Sequence, residues 1–183
     1  MPHSSDISNP IQQYRALILR SNRFLGSTLV ERGLVTSKDL EAANEKFMEM
    51  VQSEELQNAS ILTTLLYDMK ALEEARLLEY IMDERRIGLV DLSRIELHSL
   101  RPLNVDTSLC WATSTIPFDK VENTHMLATC YYLSAPVVKQ WENLLEGEII
   151  WYATSLSSLG QALERLEEIH AAEDAAAAEE SHA

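Results

Sequence analysis

The apolar residues of this chain change their spacing once, near Arg86, and that change restricts the fold more than any other feature. Before it the spacing is helical. Asn9-Pro10 starts a helix, because the Asn side chain accepts from free amides and Pro suits the first turn. Tyr14, Leu17 and Ile18 then lie along one face. A second, short helix is expected from Gly26 to Arg32, closed by Gly33, with Leu34 and Val35 as an apolar connector. Thr36-Ser37-Lys38-Asp39 caps the next helix, along which Leu40, Ala43, Phe47 and Val51 recur at helical spacing. The polar stretch from Gln52 to Asn58 extends or ends that helix. Ile61, Leu62, Leu65, Leu66 and Met69 make another apolar face, followed after a short break by Leu72, Leu77, Leu78 and Ile81.

Past Arg86 the residues suit extended backbone. Ile87 to Leu92 reads as a strand or extended segment, and Pro102 marks a boundary between about Arg94 and Asp106. Cys110 to Phe118 and His125 to Leu133 read as a hairpin, joined by a polar turn from Asp119 to Thr124. Ala135-Pro136 opens a helix with Val137, Val138, Trp141, Leu144 and Leu145, stopped by Gly147, and Glu148 to Ala153 is a third strand. The last helix, Ser155 to about Ile169, carries Leu156, Leu159, Leu163 and Leu166. The tail from Ala171 to Ala183 is acidic and Ala/Glu-rich, a frayed helix end or a disordered terminus. The fold class is therefore α+β: a helical N-terminal subdomain with a degenerate internal repeat, then a small αβ subdomain with a three-stranded sheet and two helices. The expected divisions are an N-terminal segment with a helix (1–22), the helical subdomain (23–93), a linker (94–106), the αβ subdomain (107–169) and the tail (170–183).

Composition narrows the function. A chain of 183 residues with 46% hydrophobic side chains can bury enough apolar surface to order itself. Its net charge of −14 argues against general nucleic-acid binding, since an acidic surface repels phosphate. Cys110 and Cys130 fit neither a disulfide framework nor a zinc site, and read as ordinary thiols in a reducing cytoplasm. No apolar stretch approaches the roughly 20 residues that span a bilayer, and the N-terminus lacks the pattern of a signal peptide. No phosphate loop, dinucleotide fingerprint, zinc-protease pair or nucleophile elbow occurs. His3, His98, His125, His170 and His182 are scattered. Glu73, Glu74, Asp83 and Glu84 are expected on a solvated helix face.

Two segments share a spacing. The first is Leu25-Gly26-x-x-Leu29-Val30-x-x-Gly33-Leu34-Val35-x4-Leu40, and the second is Leu62-Thr63-x-x-Leu66-Tyr67-x-x-Lys70-Ala71-Leu72-x4-Leu77. The residues from Leu25 to Leu40 resemble the N-terminal domain of the GspE-type ATPases of type II secretion and type IV pilus assembly. The resemblance continues through Gly88 to Leu92, Ile116-Pro117-Phe118, Leu127-Ala128, Ala135-Pro136 and Ile149 to Ser155. One branch of that family, which includes the MshE-like domains, binds cyclic di-GMP through two such copies. Carried over, the ligand-binding residues would be Leu25, Gly26, Leu29, Val30, Gly33, Leu34, Val35 and Leu40, with Arg23 standing one residue before the usual arginine position, which is Phe24. Asn44 and Phe47 depart from the pattern in the first copy, as do Thr63, Lys70 and Glu84 in the second. Thr or Lys where a glycine allows close approach obstructs a ligand, and Glu84 would repel phosphate.

The ATPase half has no counterpart in this sequence. The resemblance implies a non-catalytic adaptor or regulatory domain that binds a secretion or pilus-assembly protein, cytoplasmic and recruited to the inner membrane by that partner. The alternative is a receptor for cyclic di-GMP or another cyclic dinucleotide, favoured by the first copy and by Arg20, Arg23 and Arg32 nearby. No catalytic residue, cofactor, metal or nucleic-acid partner is expected.

Overall fold

The computed structural model describes residues 9–53, 56–97 and 105–181. His3, His98, His182, most of the expected linker and part of the polar stretch after Gln52 lie outside them. Asn9 caps a 3-10 turn, Pro10–Tyr14, its side-chain oxygen accepting from the Ile11 amide at 3.3 Å. Helix α1 follows as one element, Arg15–Glu31, not the two helices expected. Gly26 does not interrupt it. Glycine inside a helix costs about 1 kcal/mol relative to Ala, and here packing offsets that cost: a Cβ on Gly26 would sit 2.7 Å from Leu40 Cδ1 and 3.2 Å from Ile61 Cδ1. Gly33, at φ +68°, closes the helix end as expected.

Helix α2, Ser37–Gln52, starts where Thr36 Oγ1 accepts from the Asp39 amide at 3.1 Å. It buries Ala43, Phe47 and Val51, and Leu56, within the supposedly polar stretch beyond it, is also buried. Helix α3 is a single turn, Ile61–Thr63, that widens into a π-helical turn, Thr64–Asp68. Helix α4, Glu74–Arg85, ends on left-handed Arg86.

The two copies of the repeat share a backbone device. In the first, the amides of Leu34 and Val35 reach back to the Leu29 carbonyl at 2.9 and 3.3 Å, around Gly33. In the second, Ala71 and Leu72 reach the Leu65 carbonyl at 2.9 and 3.3 Å, around Lys70 at φ +51°. The acceptor moves by one residue between copies because the π turn takes up one extra residue.

The second half departs further from expectation. Cys110 to Thr113 is not strand. It belongs to helix α5, Thr107–Thr113, whose start is set by Asp106 accepting from the Ser108 amide at 2.9 Å. Four of its residues, Leu109, Cys110, Ala112 and Thr113, are buried, and the Thr113 hydroxyl donates to the Leu109 carbonyl at 2.8 Å. Burial and cap together override the strand preference of Thr. Strands β2, Thr115–Val121, and β3, Thr124–Thr129, form the hairpin, with a bulge between Pro117 and Asp119. Val121 pairs with Thr124, so the turn is only Glu122-Asn123, with Glu122 left-handed at φ +53°. Helix α6, Ala135–Leu144, buries Val137 and Trp141 but leaves Leu144 exposed.

Strand β4, Glu148–Ala153, runs parallel to β3, and the short strand β1, Gly88–Leu89, pairs parallel with its end. The sheet is thus four-stranded, in the order β1-β4-β3-β2, one strand more than expected. Three helices, not two, accompany it, because α7, Leu156–Glu180, follows α5 and α6. Helix α7 runs through the expected tail, as strong helix formers such as Ala and Glu permit. Its Leu159, Leu163 and Leu166 are buried. One apolar core takes residues from both halves, from Leu25 and Leu62 to Trp141 and Leu166. A smaller cluster of Ile11, Ile18, Phe47, Val51, Leu56, Ala59 and Ala112 lies beside it.

Candidate functional site

The residues of the first copy fall into three environments. Leu25, Leu29, Leu34 and Val35 are buried at 6% exposure or less, and all four belong to the main core. Gly26 is buried against Leu40 and Ile61, while Val30 and Leu40 are half-buried. Arg23 is exposed on α1, and Gly33 is exposed with nothing near its Cβ position. The structure therefore groups the aliphatic residues with one another inside the molecule and leaves Arg23 apart from them on the surface.

Next to this copy lies a groove of about 510 Å³ between the outer face of α1 and α6. Phe24, Thr28, Glu31 and Arg32 line it from α1 and its end, Arg85 from the end of α4, and Tyr132, Val138, Lys139 and Glu142 from the other side. Phe24 is 44% exposed there. Three cations and two carboxylates share this groove, which leaves it locally less negative than a chain of net charge −14 is overall.

A second groove, about 480 Å³, lies beside the second copy. Ser60, Thr63 and Tyr67 line it from α3 and the π turn, Trp111 and Ser114 from α5, and Leu156, Ser157, Gly160 and Glu164 from the start of α7. Burial and then the charge of Glu74 raise the Tyr67 phenol above its ordinary pKa. Glu74 is not on a purely solvated face: its Oε2 accepts from the Leu156 amide at 3.1 Å and so caps α7. Sequence reasoning named Thr63 and Tyr67 only as members of the second copy and Leu156 only as an apolar helix position, and none of the groove residues as lining a site. Thr63 and Tyr67 sit one turn apart within the second copy, and a glycine inside an apolar-periodic helix marks Gly160; those were the available signals.

Between the copies and the sheet runs a buried polar seam. Tyr131 OH donates to Asn22 Oδ1 at 2.6 Å and accepts from Ser60 Oγ. Asn22 Oδ1 also accepts from the Ile61 amide at 2.8 Å, and Ser134 Oγ donates to the Ser21 carbonyl at 3.0 Å. Every group in this seam is neutral, and burial raises the Tyr131 phenol well above its usual range. Such a seam fixes geometry and has no acid or base in it. Cys110 and Cys130 are free and buried, their thiols pushed up by desolvation, which leaves them poor nucleophiles. His125 is buried with Nε2 3.0 Å from the Glu146 carbonyl. Among the described residues no cluster of His, Cys, Asp and Glu is placed to hold a metal ion, and no helix is long and apolar enough to cross a membrane.

No protein-family model matches the chain, and no curated protein matches its sequence. Solved structures do match. The N-terminal domain of XpsE is 14% identical, with a TM-score of 0.50, over 90% of this chain and 99% of that one. A second crystal form of the same domain gives 12% identity and a TM-score of 0.48 over 79% and 94%. A structure of MshE with cdg gives 19% identity and a TM-score of 0.49 over 78% of this chain and 97% of that one. The chain has the fold of a GspE-type ATPase N-terminal domain.

Proposed function

We propose that this chain is a non-catalytic adaptor or regulatory domain that acts by binding a protein of a secretion or pilus-assembly machine. It would work in the cytoplasm and reach the inner membrane through that partner. The observation that carries this reading is the burial of the first copy's aliphatic residues. Leu25, Leu29, Leu34 and Val35 are core, and Gly26 is filled by Leu40 and Ile61 rather than held open for a ligand. The copy is then a scaffold, and the outer surface is what remains for recognition. The shared fold with an ATPase N-terminal domain supports the choice of machine.

The test is a titration of the purified chain against the purified GspE-type ATPase and the membrane-platform component from the same cell. Saturable binding to one of them in the micromolar range is expected, with ATP and GTP turnover by the chain alone at background. Failure to bind either, or turnover abolished by a single substitution in this chain, would overturn the reading.

The second reading, a cyclic di-GMP receptor, is favoured by the groove with Arg32, Arg85 and Lys139. Against it, the position that the binding pattern gives to arginine is Phe24, whose ring lines that same groove. The glutamine positions are Phe47, which is buried, and Glu84, which is exposed.

A further inference from the structure

We propose that the groove between the second motif copy and the start of α7 is a recognition pocket for a guanidinium or ammonium group on a basic segment of a partner protein. This deepens the protein-binding reading above and rests on it.

The chemistry of the walls selects the ligand's charge. Tyr67 and Trp111 contribute ring surface, Thr63 a hydroxyl, and Glu164 a carboxylate. No Lys, Arg or His lines the groove, whereas the groove beside the first copy holds three cations. Glu74, whose carboxylate caps α7 through the Leu156 amide, also raises the Tyr67 phenol by its charge. Three of the first four amides of α7 are already taken. The Leu156 amide is taken by Glu74, the Ser158 amide by Ser155 Oγ at 3.1 Å, and the Leu159 amide by the Ser155 carbonyl at 3.0 Å. The groove offers an anion only neutral donors, among them Gln57, Asn58 and Ser157, and no cation. A cation finds aromatic faces, hydroxyl and amide acceptors and the Glu164 carboxylate, a set that suits arginine and lysine side chains.

Gly160 adds a separate observation. It stands inside α7, where glycine costs about 1 kcal/mol relative to Ala, yet beyond its chain neighbours and the local helix backbone nothing lies within 4 Å of the place its Cβ would take. Packing therefore gives no reason for a glycine. Gly160 lines the groove, so a long side chain at that position would occupy the space. The missing side chain keeps the pocket open.

The pocket is tested with a blocked tri-arginine peptide, titrated at low salt into the full chain and into Gly160→Gln, Glu164→Gln and Glu179→Gln. Glu179 lies on the same helix, far from the groove. Saturable binding is expected, weakened about tenfold by Gly160→Gln while thermal melting stays at or above the parent's, weakened about threefold by Glu164→Gln, and unchanged by Glu179→Gln. A tri-glutamate peptide should not bind. No saturation, equal weakening by both Glu variants, or undiminished binding to Gly160→Gln would each overturn the proposal. Tyr67→Leu reads the same pocket should Gly160→Gln fail to fold. Because the probe is a peptide, failure here is distinct from failure in the titration against the ATPase and the platform component.

Discussion

Gly33 and Lys70 hold the same left-handed turn at corresponding points of the two copies, φ +68° and +51°, but only one of them is suited to it. An L residue in that conformation costs roughly 1–2 kcal/mol, which glycine escapes. Gly33→Ala should therefore destabilise the chain by about 1 kcal/mol, and Lys70→Gly should stabilise it by about 0.5–1 kcal/mol, both read by urea denaturation. Equal effects of the same sign would contradict the equivalence of the two turns. A second residue-scale test concerns Tyr14, whose hydroxyl donates to Asp106, the residue that also caps α5. Burial, and then this bond and the Asp106 charge, raise the Tyr14 phenol from 10.0 to about 12. A phenol that holds its proton more tightly when folded stabilises the fold below its unfolded pKa and loses that contribution as pH rises toward the folded one. The difference in Tm between the parent and Tyr14→Phe should shrink between pH 10 and about 12. A constant difference across that window would show that folding does not raise the Tyr14 phenol.

At the scale of elements, the helices with local punctuation were legible in the sequence and those without it were not. Thr36 with Asp39, Asn9-Pro10, Ala135-Pro136 and Gly33 marked helix ends correctly because each signal acts through its own neighbours. Helix α5 was hidden because Cys110 to Thr113 looks like strand until its burial against the core is known. The continuity of α1 through Gly26 was hidden for the same reason, since Leu40 and Ile61 come from elsewhere in the chain. Strand β1 was expected only as an extended segment, as its partner, β4, lies far along the chain. The site was less legible than the fold. The first copy was visible as a motif, but its spacing could not say that its aliphatic residues face inward. One junction allows a sharp test. Gly147, at φ +105°, turns the chain from α6 into β4, and a Cβ there would lie 2.1 Å from the Asn123 carbonyl oxygen of the hairpin turn. Gly147→Ala should cost about 2–4 kcal/mol from strain and overlap together. A loss below 1 kcal/mol, measured by denaturant unfolding, would mean that the α6–β4 turn and the hairpin are not packed as described.

The whole molecule is held by a core common to both halves and by the seam from α1 to the end of β3. Tyr131 is the central member, bonded to Asn22 on one side and to Ser60 on the other. Tyr131→Phe keeps the volume but leaves both partners short of a bond in a dry interior. It should cost about 1–3 kcal/mol while unfolding remains a single transition, followed by fluorescence and circular dichroism together. Two separated transitions in this variant would show that the halves fold independently. The same seam places the two grooves on one rigid frame, one lined by Arg32, Arg85 and Lys139 and the other by Tyr67, Trp111 and Glu164.

That the first copy is scaffold rather than a ligand grip is tested most directly by isothermal titration of the full chain with cyclic di-GMP in excess at low salt. Each lost charge-assisted contact is worth about 1.5–3 kcal/mol, and about 1.4 kcal/mol is tenfold in affinity. With Phe24, Phe47 and Glu84 in place of the polar contacts, the expected result is a dissociation constant no tighter than roughly 100 μM. Micromolar binding that disappears in Arg23→Ala would contradict it and make the first copy a nucleotide site.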